Sequence, residues 1–245
     1  MRADFETIVY EKDEGIAWLT LNRPQSLNAF SVRMRDELYE VLSGIRIDDE
    51  VRVVIFKGAG DKAFCAGADL KEFLTAPSTV KARKVRLLRN LWKFFLELPQ
   101  PLIAALHGYV LGSGVEIALF CDIRIASDDV VFGMPEVGLG IIPAAGGTQT
   151  LPRAIGVGRT LDMLLTGRRL TGTEALQAGL VNVLVPRHQL FQEAQEIAQT
   201  IASYDPEAVQ RAKQAVLRGS EMSLSQGLEL ESRLALELKK KMPAS

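Results

Sequence analysis

Two glutamates lie at points in the sequence where a carboxylate is suited to acid–base chemistry. Glu116 ends the run Gly112-Ser113-Gly114-Val115-Glu116, which opens an apolar segment, and Glu136 follows Met134-Pro135 at the start of a glycine-rich loop. Glycine has no Cβ, so a ligand can approach the backbone beside either carboxylate. Meeting at one site, the two side chains would form a proton-transferring pair. The alternatives are an ordinary charge in a first helical turn for Glu116 and a loop carboxylate for Glu136.

Two short segments share a pattern in which a strand ends, small residues form a corner and a helix begins. They are Ala66-Gly67-Ala68-Asp69-Leu70 and Leu111-Gly112-Ser113-Gly114-Val115. The first amides of a helix have no partner inside the helix, and the helix dipole favours negative charge beside them. Two such amides directed at one oxygen would form an oxyanion hole, with Ala68 and Ser113 as the best-placed donors. Such a hole suits a carbonyl that gains enolate character.

Other reactive residue types have simpler interpretations. Cys65 is favoured as a small buried thiol rather than a nucleophile, because neither histidine lies near it in sequence. His107, at a predicted strand end, is interpreted as a packing residue. The basic residues at positions 81–89 are typical of a solvated helix face, with ligand phosphates as the alternative. Gly112-x-Gly114 is a weak dinucleotide signal, because Ile117 occupies the position of the third glycine.

Alternating strand and helix signals must position these residues. Apolar runs on both sides of a charged turn at residues 11–15 predict a hairpin, and Ser31 is a suitable N-cap for the first helix. Pro99 and Pro101 end a predicted long amphipathic helix over residues 80–98. Repeated strand-strand-helix units, each burying one face against the next, predict a layered or solenoid-like α/β core. Further strands are predicted at 51–56, 63–65, 102–106, 123–126, 130–132 and 181–185, and further helices at 148–155, 158–166, 173–178, 190–203, 206–218 and 223–240.

Composition limits the class of function. The 245 residues are 47% hydrophobic, enough to bury a large core. The formal net charge of -1 lacks the basic surplus of a general nucleic-acid binder. The acidic N-terminus does not resemble a signal peptide, and no stretch is apolar enough to predict a membrane span. Cys65 and Cys121 fit neither a disulfide framework nor a zinc site, which indicates a reducing, cytoplasmic or matrix-like compartment.

Several motifs in a fixed order resemble the enoyl-CoA hydratase/isomerase (crotonase) family. The resemblance covers roughly residues 5–235 and is carried by Asn22-Arg23-Pro24 with Leu27-Asn28-Ala29, by residues 63–71, by residues 107–124, by Pro135-Glu136 and by residues 142–149. It implies a crotonase-like spiral of ββα units in residues 1–190, containing the CoA site, followed by a helical trimerisation region in residues 191–245. It further implies acyl-CoA thioester substrates and trimers that are often paired into hexamers.

The resemblance also implies roles for individual residues. The oxyanion amides fall on Ala68 and Ser113, the two catalytic carboxylates on Glu116 and Glu136, and the adenine contacts around Ala66 and Leu70. Isomerases of this kind often retain only the carboxylate at the position of Glu136, so the presence of both favours a hydratase. The other implied substrate- or CoA-binding residues are Arg23, Leu27, Asp69, Lys71, Gly112 and Pro135.

The expected reaction is therefore the addition of water across the 2,3 double bond of an enoyl-CoA thioester, giving 3-hydroxyacyl-CoA in fatty acid or related acyl-CoA degradation. Water held between the carboxylates would attack C3, with Glu116 as base and Glu136 as proton donor to C2. No metal or redox cofactor is expected, since coenzyme A is part of the substrate. The alternatives are an isomerase or other crotonase-type lyase, and a non-catalytic acyl-CoA-binding protein.

Three departures from the family pattern lead to further expectations. Ser113 replaces the usual glycine at its oxyanion position, which adds a side chain near the thioester and predicts a narrower substrate range. Ala144 stands where hydratases commonly have glycine, so the loop is expected to lose freedom at positive φ. The chain stops at residue 245 where family members usually continue into another helical segment, so CoA closure and trimer contacts are expected to be incomplete.

Overall fold

The strand and helix patterns of the sequence are realised as two β-sheets with helices packed against them. The computed structural model describes residues 1–73 and 90–240. The strands in this part are β1 Arg2–Asp4, β2 Ile8–Asp13, β3 Ile16–Leu21, β4 Val53–Gly58, β5 Ala63–Cys65, β6 Leu102–Leu106, β7 Tyr109–Leu111, β8 Ile123–Ser127, β9 Val131–Gly133, β10 Leu170–Thr171 and β11 Val183–Val185. They form one sheet of order β1-β2-β3-β4-β6-β8-β11 and a second of order β10-β9-β7-β5.

Helices follow the strands and become more frequent toward the C-terminal part. The described α-helices are α1 Val32–Arg46, α2 Leu70–Phe73, α3 Leu91–Glu97, α4 Ser113–Phe120, α5 Gly147–Ile155, α6 Val157–Thr166, α7 Gly172–Ala178, α8 Leu190–Ala202, α9 Pro206–Gly219 and α10 Leu224–Lys239. Short 3-10 helices cover Pro24–Ser26, Glu136–Leu139 and Arg187–Gln189. No helix among the described residues is long and apolar enough to cross a lipid bilayer.

The chain advances by repeating one unit. β4, β6 and β8 lie parallel in the large sheet, and each is followed by a short strand, β5, β7 or β9, in the small sheet. A helix then returns the chain to the next unit. This arrangement confirms the predicted spiral of ββα units and explains why the strands read as short, nearly continuous apolar runs.

Both faces of the large sheet are buried, because alternate residues of its strands enter different cores. Val54 and Phe56 of β4 pack in the larger core with α1, whereas Val53 and Ile55 pack in a second core with α8. Residues of a strand alternate between the two faces, so a strand covered on both sides must be apolar throughout. The large sheet is therefore a rigid support for the corners that follow β5 and β7.

The first hairpin has a tighter turn than the sequence predicts. β2 continues through Asp13 and pairs with β3 as far as Ile16, so the connection is only Glu14-Gly15 rather than residues 11–15. Both turn residues have positive φ, 47° and 80°. A two-residue turn of this kind matches the twist of the strands. Glu11 and Lys12 therefore stay in β2, although both are charged.

The predicted helix over residues 80–98 is wrong at residue 90. Asn90 has a non-helical backbone, and its side chain accepts a hydrogen bond from the Lys93 amide, so α3 begins at Leu91. Asparagine is a strong N-cap because its side-chain oxygen satisfies an amide that has no partner inside the helix. The rest of that prediction, at residues 80–89, lies outside the described part of the chain.

The last two helices form a hairpin that contacts the remainder of the fold mainly through polar groups. α9 has no fully buried residue, and α10 buries only Leu230 and Leu234. Lys213 of α9 anchors the hairpin, since its Nζ lies 2.7 Å from Asp122 Oδ2 and donates to the Gln100 carbonyl at 2.8 Å. α8, by contrast, belongs to the core of the large sheet.

We predict that Gly114→Ala strongly destabilises the fold. A Cβ at this position would lie 2.2 Å from the Cys65 carbonyl oxygen, because α4 crosses the end of β5 at backbone contact. Forcing the helix away should lower the free energy of unfolding by at least about 1–3 kcal/mol, measured by urea denaturation. The matched control is Gly44→Ala in α1, where nothing lies within 4 Å and stability should rise by about 0.5–1 kcal/mol. Equal effects of the two substitutions would contradict this packing.

Candidate active site

The two small-residue corners predicted from the sequence touch each other. β5 and β7 run parallel, so their ends reach the same edge of the small sheet. Gly67 and Gly112 form the corners with φ of 104° and 47°, conformations that suit glycine. A Cβ on Gly112 would lie 3.5 Å from the Gly67 Cα, so the two backbones are in contact.

Each corner presents a backbone amide that has no partner among the described residues. Asp69 N donates to the Phe30 carbonyl at 2.9 Å, and Gly112 N donates to the Gly133 carbonyl at 2.9 Å, which fixes the backbone on either side. The amides of Ala68 and Ser113 donate to no acceptor within residues 1–73 and 90–240. Ser113 is the first residue of α4, where the helix dipole is positive. Both amides are therefore available to a ligand at the ends of β5 and β7.

Glu116 lies in the first turn of α4 and is held by a loop distant in sequence. Its side chain is buried, at 2% exposure, and Oε1 accepts hydrogen bonds from the amides of Ala145 and Gly147, both at 2.9 Å. Burial raises the pKa of Glu116, while these two amides and the Ser113 hydroxyl act in the opposite direction. Glu116 is thus a desolvated carboxyl whose ionised form receives several hydrogen bonds.

Glu136 lies against the second corner. It is the first residue of the 3-10 helix Glu136–Leu139, and a Cβ on Gly112 would lie only 2.7 Å from its Oε1. The side chain is buried at 9% exposure, and its Oε2 has no partner within the described residues. Burial raises the pKa of Glu136, and the nearby charge of Glu116 raises it further. The two glutamates therefore belong to one site and influence each other electrostatically.

Arg23 and Asp69 are brought together, but they contact each other rather than open solvent. Arg23 Nη2 lies 2.9 Å from Asp69 Oδ2, and its Nη1 donates to the Ala29 carbonyl at 2.7 Å. Ala66 N donates to the Leu27 carbonyl at 3.0 Å, so the loop that contains Leu27 is tied to the first corner. These contacts brace the corner that presents the Ala68 amide.

The other predicted binding residues lie around the same corners. Leu70 is partly exposed at the start of α2, and the Lys71 amide donates to Asp69 Oδ1 at 3.2 Å. Pro135 is exposed directly before Glu136. A cleft of about 300 Å³ opens beside this region, lined by Pro24, Gln25, Leu27, Asn28 and residues 59–63.

The amides of Ala145 and Gly147 are the site residues that sequence reasoning missed. The expected loss of freedom at positive φ at Ala144 stays a prediction. Ala144 is not among the described residues with positive φ, whereas Gly146 has a φ of 108°. The adjacent glycines Gly146 and Gly147 were the sequence signal that could have indicated these amides. A Cβ on Gly147 would lie 2.6 Å from Met134 Cε and 3.1 Å from Glu116 Oε1.

Cys65 and His107 are buried groups outside the carboxylate pair. Burial raises the pKa of the Cys65 thiol to about 12, which leaves it protonated and unreactive. His107 is fully buried, its Nε2 lies 3.0 Å from the Gly60 carbonyl oxygen, and burial lowers its pKa to about 4. Both findings agree with packing roles.

We predict that Glu136→Gln stabilises the protein at neutral and alkaline pH. The pKa of Glu136 is raised above its ordinary value of 4.5, so the folded state holds the proton more tightly than the unfolded chain. The associated stability is present below about pH 4.5 and is lost as pH rises through the folded pKa. Gln cannot ionise, so its advantage in free energy of unfolding should grow with pH and vanish near pH 4.

Urea denaturation of wild type and Glu136→Gln across pH 4–9 measures this difference. Glu40→Gln removes an exposed carboxylate from α1 and is the control. A difference between wild type and Glu136→Gln that stays constant with pH would mean that this carboxyl is not held in a desolvated site.

Known proteins have similar sequences and structures. The family model described as Enoyl-CoA hydratase/isomerase matches residues 11–243. The Short-chain-enoyl-CoA hydratase of Clostridium acetobutylicum is 43% identical over 230 residues, covering 94% of this chain and 88% of that protein. Enoyl-CoA hydratase domain-containing protein 2, mitochondrial, of Homo sapiens is 41% identical over 223 residues, covering 89% and 76%. The crystal structure of enoyl-CoA hydratase from Bacillus anthracis has a TM-score of 0.89 and 42% identity, covering 94% and 90%. The family predicted from the motifs is confirmed, and this chain belongs to the enoyl-CoA hydratase/isomerase family.

Proposed function

We propose that this protein is an enoyl-CoA hydratase that adds water across the 2,3 double bond of an enoyl-CoA thioester to give a 3-hydroxyacyl-CoA. The observation that carries the proposal is a pair of buried carboxylates, Glu116 and Glu136, beside the amides of Ala68 and Ser113, for which the described residues offer no acceptor. Hydration of a conjugated thioester needs both parts, since the carbonyl must be polarised and water must be split between C2 and C3.

The amides are assigned to the thioester carbonyl. A carbonyl oxygen accepting from both Ala68 N and Ser113 N would gain negative charge as water attacks, and the positive end of α4 favours that charge. Withdrawal of electrons toward this oxygen makes C3 electrophilic. No metal or redox cofactor is required by this chemistry, because coenzyme A arrives as part of the substrate.

The hydrogen bonds divide the work between the two carboxylates. Glu116 receives two backbone amides on Oε1, which stabilises its ionised form and suits a base that accepts a proton from water. Oε2 of Glu136 has no partner in residues 1–73 and 90–240, and the charge of Glu116 lies near, so Glu136 is the better place for a proton. In the proposed step the water oxygen bonds to C3, one water proton goes to Glu116, and the Glu136 proton goes to C2.

Coenzyme A is assigned to the surface around the first corner. Ala66 and Leu70 border this corner, and the Ala66 amide donates to the carbonyl of Leu27, which lines the cleft. Arg23, Asp69 and Lys71 lie at its edge, with the first two joined in an ion pair. The free, buried cysteines fit a reducing compartment, and a cytoplasmic location is part of the same proposal.

Self-association into a homotrimer, or a hexamer made of two trimers, is also proposed. Large apolar side chains remain exposed on α6 and on the C-terminal hairpin, including Val157 at 65%, Leu165 at 67%, Val216 at 70% and Leu224 at 80%. Apolar surface of this kind is typical of an interface between subunits. Sedimentation equilibrium should give a mass of three or six 26.9 kDa chains, and a stable monomer would contradict the proposal.

We predict that the purified protein hydrates crotonyl-CoA and that either carboxylate substitution stops it. Glu116→Gln and Glu136→Gln should each lower kcat by about 10²–10⁴-fold, because each removes one proton-transfer group. The reaction is measured by the decrease in absorbance of the double bond conjugated to the thioester. Glu40→Gln is the control and should keep full activity.

The same variants separate the alternatives. Full activity of Glu116→Gln would eliminate the two-carboxylate mechanism. Conversion of a 3-enoyl-CoA that depends on Glu136 but not on Glu116 would identify an isomerase. Binding of acyl-CoA without turnover of either isomer would identify a non-catalytic acyl-CoA-binding protein.

A further inference from the structure

Arg124 is a largely enclosed cation that contacts the helix of the active site at its far end. Its Nη1 donates to the carbonyls of Cys121 at 2.5 Å and Ala118 at 3.4 Å, both at the C-terminal end of α4. Its Nε donates to the Leu180 carbonyl at 2.7 Å. No carboxylate of the described residues lies within ion-pair distance of it. The guanidinium therefore serves backbone carbonyls alone.

Burying the Arg124 guanidinium costs free energy unless its hydrogen bonds provide something that an apolar side chain cannot. Burial lowers the pKa of Arg124, which reports that the charge has lost solvent. Placing an apolar side chain at such a site is often no less stabilising than burying a charged group. What an apolar residue cannot do is bind the last carbonyls of α4 and complement the negative end of its dipole.

α4 is short and depends on its anchors. It has only eight residues, Ser113–Phe120, and carries no basic residue in its own last turn. Helices of this length gain their stability from tertiary contacts rather than from propensity. Glu116 and its two amide partners hold one end, while Arg124 holds the other through polar contacts.

Arg124 is itself fixed in position by the large sheet. Its amide donates to Asn182 Oδ1 at 2.9 Å, and its carbonyl accepts from the Asn182 amide at 2.8 Å. It therefore connects α4, which starts from the small sheet, to the segment that leads into β11 of the large sheet. Eight residues of helix span about 12 Å, so a small tilt at this end moves the Ser113 amide and Glu116 at the other.

We propose that Arg124 is a positioning residue for the reaction, because its guanidinium fixes the C-terminal end of α4 and thereby the placement of the Ser113 amide and the Glu116 carboxylate. This inference rests on the proposed hydratase function. Misplacement of catalytic groups by about 1 Å is enough to lower a rate by about 100-fold.

The test compares Arg124→Met, which keeps length and apolar packing, with Arg124→Lys, which keeps the charge. Arg124→Met should lower kcat for crotonyl-CoA by about 10–100-fold with KM changed less than about 2-fold, since the CoA surface is untouched. Arg124→Lys should recover part of the loss. The matched control is Arg52→Met, because Arg52 donates to the carbonyl of Ala202 at the end of α8, a helix without site residues. Its kcat should stay at the wild-type value even where its Tm falls.

A spectroscopic readout separates this proposal from the function itself. Acetoacetyl-CoA bound with its thioester oxygen between the two amides should ionise to an enolate that absorbs in the near ultraviolet, so the amount of enolate should report the placement of those amides. Arg124→Met should bind acetoacetyl-CoA but form less enolate than wild type. If wild type hydrates no enoyl-CoA, the hydratase proposal fails while this signal still tests Arg124.

Two results would overturn the role of Arg124. One is an unchanged kcat and enolate signal in Arg124→Met with only a lower Tm, which would make the residue purely structural. The other is an equal loss of kcat in Arg52→Met. If Arg124→Met does not fold, Asn182→Ala decides, because it loosens the backbone of Arg124 without removing the charge; a lower kcat supports the proposal and an unchanged one contradicts it.

Discussion

Backbone contact between the Gly67 and Gly112 corners is the constraint on which the site depends. Parallel pairing of β5 with β7 ends both strands at one edge, and the positive φ of the two turns, 104° and 47°, favours glycine at each. A side chain on Gly112 would also displace the Glu136 carboxylate, whose Oε1 lies 2.7 Å from the Cβ position. One close approach therefore sets the separation of the two amides and the place of one carboxylate.

Desolvation and hydrogen bonding act in opposite directions on the two carboxylates, and their balance makes the residues different. Both side chains are buried, which raises the pKa of each. Glu116 recovers part of this cost from the amides of Ala145 and Gly147, whereas Glu136 has no partner for Oε2 among the described residues. The two carboxyl groups therefore differ in their surroundings, since Oε1 of Glu116 accepts from two backbone amides while Oε2 of Glu136 has no partner among the described residues.

Local signals in the sequence were sufficient for much of the fold and for part of the site. Ser31 caps α1 as predicted, since the cap and the Met34 amide that donates to it are three residues apart. The corners and the carboxylates followed from small residues next to strand ends. Asn90 was missed because the helical periodicity continues across it, and the amides of Ala145 and Gly147 were missed because about 30 residues separate them from Glu116. Contacts of that kind depend on how the units of the spiral stack, which no local pattern records.

Ser113 contributes both a backbone amide and a side-chain hydroxyl, whereas a glycine at this position would contribute only the amide. Its amide has no acceptor in the described part of the chain, so it stays available to a ligand. Its hydroxyl acts to lower the pKa of Glu116, adding to the two backbone amides. Each donor that favours ionised Glu116 strengthens its charge beside Glu136, and that charge raises the pKa of Glu136. The Ser113 side chain thus acts in the same direction as the amides of Ala145 and Gly147 on the pKa of Glu116.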